Sequence, residues 1–538
     1  MPPLPNFQTK GKPKMITLLD YGAGNVRSVI NAVERLGETI RPAVSGRDIA
    51  SAEKLIFPGV GAFGSMMRML RKKNFIAPLK DYLASGRPFF GICLGMHALF
   101  DQSEEAAGEK GLGLIPGTVR RFDTNLAVPH IGWNGVSAQK KSRLFNGFSG
   151  DEKFYFVHSF HVVPKDRSVT LATTNYGVEF VSAVQTGSIF ATQFHPEKSG
   201  EKGLALLKNF LSPGTEASRP VAAPAETKLA KRVIACLDVR ANDQGDLVVT
   251  KGDQYDVREK GRVRNLGKPV EAAEKYYRQG ADEITFLNIT GFRDFPLKDL
   301  PMLEVLKETS KRVCVPLAIG GGIRDYTDSK GRAYSALEVA DRYFRSGADK
   351  ISIGSDAVLI AEQYLKTGRK TGRTSIERIS DVYGSQAVVV SIDPKRAWVN
   401  SPDETRHPVM EEKEPGENGA GRFFWHQATI SGGREPRDMD AVTLARICEE
   451  LGAGEILLNS IDRDGTGAGF DMDLIRSVKS AVSIPVIASS GAGSPAHFVE
   501  VFTRTQAEAA LAAGIFHRGE VSIGEVKRAL DGKVETRA

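Results

Sequence analysis

The sequence predicts a protein of the α/β class with two domains, an α/β domain followed by a (β/α)8 TIM barrel. The chain of 538 residues is too long for one ordinary hydrophobic core. Its first part contains short apolar runs that end in small or polar residues, a pattern typical of buried strands that lead into loops. Its second part contains an internal repeat, and repeats predict an architecture more strongly than single motifs do.

The apolar runs of the first part are KMITLLDY, KLIFPGVG, FFGICLG and IFATQFHPE, from which we expect an α/β domain. A segment rich in Pro, Ala and Ser, LSPGTEASRPVAAPAET, follows them and predicts a semi-extended linker. We therefore expect a tail over residues 1–14, a first domain over 15–211, a linker over 212–228 and a second domain over 229–538.

Four pairs of matched segments make up the repeat. IACLDV around Asp238 matches VVVSIDPKR around Asp393, GADEITFLNIT matches GAGEILLNSID, VPLAIGGGI matches IPVIASSGAG, and GADKISIGS matches AEAALAAGIFH. Each segment predicts a strand, and helical stretches lie between them. Because four strand–helix units occur twice, the sequence predicts an eight-stranded barrel, with an open doubly wound sheet as the alternative.

Two polar stretches interrupt the repeat. The stretch 395–421 is charged and rich in Pro and Gly, so we expect a surface excursion. The stretch 250–269 follows the first barrel strand, where βα loops form the active-site face of a barrel, so we expect a mobile lid.

The composition argues against membrane, secreted and nucleic-acid-binding proteins. No run approaches 18 apolar residues, and MPPLPNFQTKGKPK lacks the apolar core of a signal peptide, so we expect a cytoplasmic protein that does not bind a membrane. The net charge of +7 comes without a long basic run, which suits phosphorylated substrates better than nucleic acid. The four cysteines are too widely spaced for disulfides or a CxxC metal pair, so we expect reduced thiols and no metal: Cys93, Cys236, Cys314 and Cys448.

Three features of the first part indicate amide hydrolysis. Cys93 lies between a strand and a helix at the G-x-C-x-G spacing of a nucleophile elbow, where a helix N-terminus favours the thiolate. A buried structural cysteine is the alternative. In TQFHPEKSG, His195 would act first as general base and then as general acid. Glu197 would hold the imidazole in its orientation.

The third feature is the glycine-rich turn FPGVGAFG. Gly59, Val60 and Gly61 follow a predicted strand and expose backbone N–H groups that could bind an oxyanion. An ordinary tight turn is the alternative.

Two carboxylates of the second part indicate acid–base catalysis. Asp238 and Asp393 end equivalent strands of the repeat, so pseudo-twofold symmetry would place them on opposite sides of one barrel mouth. One carboxylate can take a proton while the other gives one, if their surroundings separate their pKa values. A helix cap is the alternative for either residue alone.

Small residues at further strand ends predict two phosphate sites, because open backbone amides at helix starts bind anions. Their equivalence in the repeat implies a ligand with a phosphate at each end, and tight βα turns are the alternative. The residues are Gly320, Gly321, Gly322, Gly354 and Ser355 in one half, and Ser490, Gly491 and Gly514 in the other.

Together the elbow, the HPE motif and the glycine turn resemble the class I (triad) glutamine amidotransferase family over residues 15–211. Within it, YGAGNVRSV, PHIGWNGV and YFVHSFH are similar to the glutaminase part of the imidazole glycerol phosphate synthase family. The resemblance implies that His97, which stands where that family usually has Gln, belongs to the glutamine pocket.

RVIACLDV, SIDRDGTGAGFD and VIASSGAG resemble the cyclase part of the same family over nearly all of residues 229–538. Fusion in one chain resembles the eukaryotic form, which acts in histidine biosynthesis. The resemblance implies two substrates and no cofactor. The substrates are glutamine and PRFAR, a bis-phosphorylated ribulosyl aminoimidazole carboxamide that reacts with ammonia to give imidazole glycerol phosphate and AICAR.

The resemblance also implies roles for single residues. Asp238 and Asp393 would be the general base and acid, Lys251 the loop lysine, and Asp464 a further active-site residue. Asn288 stands where family members often carry Asp. A charged ring at the N-terminal mouth of the barrel would gate ammonia, and its members would be Arg232, Glu283, Lys350 and Glu455.

The resemblance further implies that Lys198 and Asp349 form an ion pair between the domains, with Cys93 facing the N-terminal end of the barrel. The two domains would meet within one chain, which is compatible with a monomer.

Two other functions remain open. Pyridoxal phosphate synthase also joins a triad glutaminase to a phosphate-binding barrel, but it needs imine-forming lysines, whereas the matched strand ends here carry Asp238 and Asp393. The other alternative is a catalytically silent metabolite-binding protein, against which the complete set of Cys93, His195 and Glu197 argues. A partner that activates its substrate with ATP is not expected, since no GxxxxGK[ST] occurs.

Overall fold

A computed structural model describes residues 15–212, 227–250, 258–259, 262–263, 265–289, 297, 300–412 and 423–537. The predicted tail, most of the predicted linker, Lys251, much of the expected lid and part of the expected surface excursion lie outside these residues.

Thirteen strands and six α-helices form the first part of the structure. The strands are β1 (Met15–Leu18), β2 (Thr39–Pro42), β3 (Lys54–Gly59), β4 (Phe89–Cys93), β5 (Gln102–Ser103), β6 (Gly117–Arg121), β7 (His130–Gly135), β8 (Ser137–Ala138), β9 (Lys153–His158), β10 (Phe160–Pro164), β11 (Thr170–Asn175), β12 (Glu179–Thr186) and β13 (Ile189–Thr192). The helices are α1 (Arg27–Arg35), α2 (Gly46–Ser51), α3 (Phe63–Lys72), α4 (Ile76–Ala84), α5 (Leu94–His97) and α6 (Gly200–Leu211).

The main sheet of this part has the order β2-β1-β3-β4-β13-β12-β10-β6-β5. The first five strands are parallel, and the apolar run FFGIC of β4 is buried throughout, as a strand covered on both faces must be. Because the carboxyl ends of parallel strands meet at one edge, Gly59 at the end of β3 is the register partner of Cys93 at the end of β4. The sheet therefore places the glycine turn beside the cysteine.

The second part contains the remaining strands and helices. The strands are β14 (Arg232–Ala241), β15 (Leu247–Thr250), β16 (Arg258–Glu259), β17 (Arg262–Val263), β18 (Glu283–Asn288), β19 (Leu317–Gly320), β20 (Tyr326–Thr327), β21 (Ala333–Tyr334), β22 (Lys350–Ile353), β23 (Val388–Ile392), β24 (Pro394–Val399), β25 (Met410–Glu411), β26 (Phe423–Ile430), β27 (Glu435–Asp440), β28 (Glu455–Asn459), β29 (Val486–Ser489) and β30 (Ala509–Ala512). The helices are α7 (Pro269–Arg278), α8 (Pro301–Arg312), α9 (Ala336–Ser346), α10 (Ser355–Thr367), α11 (Ser375–Tyr383), α12 (Ala441–Leu451), α13 (Met472–Ala481), α14 (Pro495–Arg504), α15 (Gly514–His517) and α16 (Ile523–Leu530).

Eight parallel strands close into a barrel in the order β14-β18-β19-β22-β23-β28-β29-β30, and β30 pairs with β14. This closure confirms the predicted barrel and rules out the open doubly wound sheet. The first residues of β14, β18, β22 and β28 are charged. Since the strands are parallel, these four residues meet at the N-terminal end of the barrel.

Strands occur in and beside the stretch 395–421, where the sequence predicted a surface excursion. They are β24, β25, β26 and β27, which form an antiparallel sheet that we call the inserted sheet. Aromatic side chains stabilise it: Trp398 packs against Phe424 with ring centroids 5.1 Å apart, and His407 stacks on Trp425 at 4.0 Å. The strands within 395–421 could not be predicted, because this stretch is charged and rich in Pro and Gly.

In the part of the chain that the structure describes, no helix is long and apolar enough to cross a membrane. The four cysteines all lie among the described residues, where they are buried and form no disulfide. Among the described residues, no three His, Cys, Asp or Glu side chains are grouped so that they could hold a metal ion.

Candidate functional site

Cys93 is held in a strained backbone conformation at the end of β4. Its φ of 51° lies in the left-handed region that cysteine rarely adopts. The tight turn needs Gly95, because a Cβ there would lie 2.0 Å from the carbonyl oxygen of Phe57. Such a turn presents a side chain at a strand–helix junction, as a nucleophile elbow does.

His195 and Glu197 lie next to Cys93 and are buried. The His195 Nδ1 atom is 2.8 Å from Glu197 Oε1, and the Cys93 side chain lies close enough to the imidazole to influence its pKa. Burial alone would lower the pKa of His195, but the charges of Glu197 and Cys93 raise it to about 10. A protonated imidazole beside the sulfur stabilises a thiolate.

The glycine turn is held from both domains. The Tyr21 hydroxyl donates to the carbonyl oxygen of Val60 at 2.7 Å. From the other side, the Ala62 N–H donates to the carbonyl oxygen of Val382, which belongs to α11 of the barrel, at 3.2 Å. The orientation of the peptides around Gly61 therefore depends on the barrel as well as on the first domain.

Sequence reasoning missed Gln193, which links His97 to Cys93. The His97 Nε2 atom is 2.8 Å from Gln193 Oε1, and the Gln193 Nε2 atom donates to Cys93 Sγ at 3.4 Å. Burial lowers the pKa of His97 to about 4, so the ring is neutral and its Nε2–H is the donor. Gln193 directly precedes the FHPE motif, and its position there was the available signal.

Glu105 is a second residue that the sequence did not reveal. It lines the same cavity as Cys93, and its Oε2 atom accepts from the Phe63 N–H at 3.1 Å. Burial raises the pKa of Glu105 to about 7. No motif surrounds this residue.

The cavity beside Cys93 measures about 30 Å³, room for only one or two water molecules. Barrel residues Asp349, Gln386 and Ala387 form part of its wall. The side chain of Cys93 therefore faces the barrel, and a larger molecule can enter only after the walls move apart.

The expected ion pair between the domains is present. Lys198 Nζ is 2.6 Å from Asp349 Oδ2, and Asn25 Nδ2 donates to Asp349 Oδ1 at 2.8 Å. A second pair joins Arg345 of the barrel to Asp20 through two hydrogen bonds of 2.8 and 2.9 Å. The interface thus lies within one chain, at the N-terminal end of the barrel.

The charged ring lies at that same end, and all four of its side chains are buried. Lys350 Nζ is 2.6 Å from Glu283 and 2.7 Å from Glu455, while Arg232 is 2.8 Å from Glu283 and also hydrogen-bonds Glu455. Burial would raise the pKa of Glu455, but Arg232 and Lys350 hold it below its usual value. Two positive and two negative charges therefore balance inside the ring.

A cavity of about 600 Å³ opens at the opposite, C-terminal mouth of the barrel. Asp238 and Asp393 line it, and so do the other candidate residues of the strand ends: Asn288, Gly320, Gly321, Gly322, Gly354, Ser355, Asp464, Ser490, Gly491 and Gly514. Four arginines that sequence reasoning missed also line it: Arg240, Arg324, Arg434 and Arg518. The cavity combines two carboxylates with two groups of open amides and several positive charges.

The surroundings of Asp393 favour its protonated form. Burial raises the pKa of Asp393, and the nearby charge of Asp464 adds to this effect. Asn459 Nδ2 donates to Asp393 Oδ1 at 2.7 Å and fixes the carboxyl group. Asp238, in the other half of the repeat, has different surroundings, with Cys236 Sγ 3.9 Å from its Oδ1 atom.

Two family models match the chain. The glutamine amidotransferase class-I model matches residues 17–213, and the histidine biosynthesis protein model matches residues 232–522. Relatives match along nearly the whole chain. The imidazole glycerol phosphate synthase hisHF of Arabidopsis thaliana, named as chloroplastic, is 57% identical over 97% of this chain and 89% of its own length.

The proteins of the same name from Emericella nidulans and Schizosaccharomyces pombe are each 53% identical over 96% of this chain and 98% of their own lengths. These matches extend over both parts of the chain, in the order of the two family models. The chain therefore belongs to the imidazole glycerol phosphate synthase family, in the fused form in which the glutamine amidotransferase part precedes the cyclase part.

Proposed function

We propose that the chain hydrolyses glutamine at Cys93 and passes the ammonia through the barrel to a cyclase site, where PRFAR is converted to imidazole glycerol phosphate and AICAR. The observation that carries this proposal is the placement of two chemically different sites at opposite ends of one barrel, with the charged ring between them. In this proposal the glutaminase domain spans residues 15–211 and the cyclase domain residues 229–538.

In the glutaminase reaction the Cys93 thiolate attacks the side-chain amide of glutamine. The protonated His195, oriented by Glu197, gives a proton to the departing ammonia and then takes one from the water that hydrolyses the thioester. Backbone N–H groups of the turn 59–61 stabilise the oxyanion. Glu105 provides a carboxylate for the α-ammonium group of glutamine, and His97 fixes the wall through Gln193.

The released ammonia stays within the interface. Free in neutral water it would be protonated and would lose its nucleophilic lone pair, whereas the cavity of Cys93 has barrel residues such as Asp349 in its wall. Asp349 directly precedes Lys350 of the charged ring. We propose that a displacement of one ring side chain opens the passage into the barrel.

In the cyclase reaction the two carboxylates have different roles. Asp393, whose pKa is raised by burial, acts as general acid, and Asp238 acts as general base. The amides around Gly322 and Gly491 bind the two phosphates, with arginines such as Arg324 and Arg518 adding positive charge. Asp464 contacts the reacting part of the substrate.

The alternative of a pyridoxal phosphate synthase receives no support from the cavity. Its wall contains arginines and carboxylates, and among the residues that the structure describes no lysine lines it. An imine-forming reaction needs a lysine amine at this place. The matched relatives agree with the cyclase.

A single sample tests the proposal. Purified protein is supplied with glutamine and PRFAR, and glutamate, imidazole glycerol phosphate and AICAR are measured together. We expect equal amounts of the three products, and formation of the last two from added ammonium salt without glutamine. A protein that releases glutamate but never forms AICAR contradicts the cyclase assignment.

We also propose a cytoplasmic location, and a monomeric protein because both domains meet within one chain. Cell fractionation and sedimentation of the purified protein check these two points. Recovery from an organelle, or a dimer at micromolar concentration, contradicts them.

A further inference from the structure

The inserted sheet contacts the loop that carries Asp464. This loop, residues 460–471, joins β28 to α13. The backbone N–H of Arg396 on β24 donates to Asp462 Oδ2 at 2.8 Å, and the Arg396 guanidinium lies 3.7 Å from Asp471 Oδ2. One residue of the inserted sheet therefore reaches both the start and the end of the loop.

Asp471 is the point at which the loop is closed. Its carboxylate accepts from the Leu474 N–H at 3.2 Å, which caps α13, and from the Ser460 hydroxyl at 3.2 Å, which lies at the opposite end of the loop. Arg396 and His426 are register partners on β24 and β26, and His426 Nε2 lies 3.6 Å from Asp471. The sheet thus presents two basic side chains side by side to one buried carboxylate.

The guanidinium of Arg396 is itself fixed. It pairs with Glu412 at 2.7 Å and lies over the ring of Phe424, 4.3 Å from the centroid. Burial alone would raise the pKa of Asp471, but His426 and Arg396 hold it below its usual range, so the carboxylate is charged. Both partners of this contact therefore keep their charge and their position.

The loop in turn forms one wall of the cyclase cavity. Asp464, Gly465 and Gly467 line the cavity. The Gly469 N–H donates to the carbonyl oxygen of Gly491 at 2.8 Å, so the loop rests directly on one of the two groups of amides. A shift of the loop would move Asp464 away from Asp393 and would disturb the amides at the same time.

We propose that Arg396 is a positioning residue for the cyclase reaction: from the inserted sheet it holds the loop 460–471 so that Asp464 and the amides around Gly491 surround the substrate. Arg396 does not line the cavity itself, and it acts through Asp462 and Asp471. The inference rests on the proposed function, since it concerns the binding and turnover of PRFAR.

The test separates the two contacts by substitution. Arg396→Met removes the guanidinium but keeps the backbone N–H, whereas Asp462→Ala removes the acceptor of that N–H at an exposed position. Asp462→Asn keeps an oxygen acceptor and serves as the conservative rescue. The matched control is Arg406→Ala, which breaks the exposed pair of Arg406 with Asp438 on the same sheet at 2.6 Å.

The assay is PRFAR conversion with saturating ammonium salt, so that glutamine hydrolysis does not enter. We expect kcat/KM to fall about 10-fold or more in Arg396→Met and Asp462→Ala, because misplacing groups by about 1 Å can cost up to about 10²-fold. Part of this loss should be a higher KM for PRFAR, which a mere loss of folded protein would not change. Asp462→Asn and Arg406→Ala should stay within about twofold of the wild type.

The outcomes distinguish the inference from the proposed function. If the wild type converts no PRFAR, the proposed function is wrong and the inference falls with it. If the wild type is active and Asp462→Ala keeps the wild-type KM and kcat, the inference alone is overturned. The inference is also overturned if Arg406→Ala loses as much activity as Arg396→Met, since a general weakening of the sheet would then explain both.

Discussion

Replacing Lys350 by methionine tests the charged ring, because it removes one of two buried positive charges and leaves two carboxylates. Lys350 contacts Glu283 and Glu455 at 2.6–2.7 Å, and its side chain has no exposed surface. Removing one partner of a buried ion pair costs about 3–5 kcal/mol, since a buried charge is left without compensation. We therefore expect the variant Lys350→Met to lose about 3–5 kcal/mol of unfolding free energy at pH 7.5.

The loss should depend on pH. The pKa of Glu455 is lowered in the folded protein, so its stabilising contribution is complete above its unfolded value of 4.5 and is lost only as the pH falls through the folded value. The wild type therefore changes little between pH 7.5 and 5.5. In the variant a carboxylate can escape the penalty by taking up a proton, and each unit of lower pH makes this easier by about 1.4 kcal/mol. The difference between the two proteins should shrink over this range.

Urea unfolding of the full chain, followed by far-UV circular dichroism at both pH values, measures this difference. Lys370→Met is the matched control, because Lys370 and Glu450 form an exposed pair at 3.8 Å, worth at most about 1 kcal/mol. Combining Lys350→Met with Glu283→Gln restores neutrality and should recover most of the loss. A single variant within about 1 kcal/mol of the wild type at pH 7.5, or a difference that is constant with pH, would refute the reasoning.

Three further predictions concern the two sites. Cys93→Ala should abolish glutamate release but leave PRFAR conversion from added ammonium salt largely intact; loss of both activities in a folded variant would contradict separate sites. Asp238→Asn should lower cyclase activity by more than about 10²-fold while glutamate release survives, and near-normal formation of AICAR would remove Asp238 from the mechanism. Because burial raises the pKa of Glu105 to about 7, KM for glutamine should fall as the pH rises through 7, and Glu105→Gln should flatten that profile in steady-state assays.

The barrel could be predicted from the sequence because its repeat fixes both the number and the order of the strands. The nucleophile elbow was predictable for a similar reason: Gly95 and Cys93 lie close together along the chain, and local sterics decide the turn. The positions of His195 and Glu197 beside Cys93 followed from two motifs at the carboxyl ends of neighbouring strands.

The parts that were missed depend on contacts between distant segments. Glu105 reaches the Cys93 cavity from a region of turns without periodicity, and nothing around it in the sequence indicates burial. The wall formed by Gln386 and Ala387 arises only when the domains meet. The inserted sheet could not be predicted because most of the sequence around it is polar. The sheet is stabilised instead by ring contacts between residues of β26 and residues that precede it in the chain. No sequence motif marks Arg396, because the residue that its backbone N–H contacts, Asp462, lies in a loop far along the chain.

The pairing of β30 with β14 has a consequence for how the protein is made. Arg232, at the start of β14, is the register partner of Ala509, so the barrel cannot close until the ribosome has added β30. Domains generally fold as units during synthesis, with the N-terminal one first. The glutamine amidotransferase domain therefore folds while the barrel is still unfinished. At that stage the Ala62 N–H beside the glycine turn does not yet have the carbonyl oxygen of Val382 as its acceptor. Newly made protein should become an efficient glutaminase only late in synthesis, when a finished barrel is there to receive the ammonia.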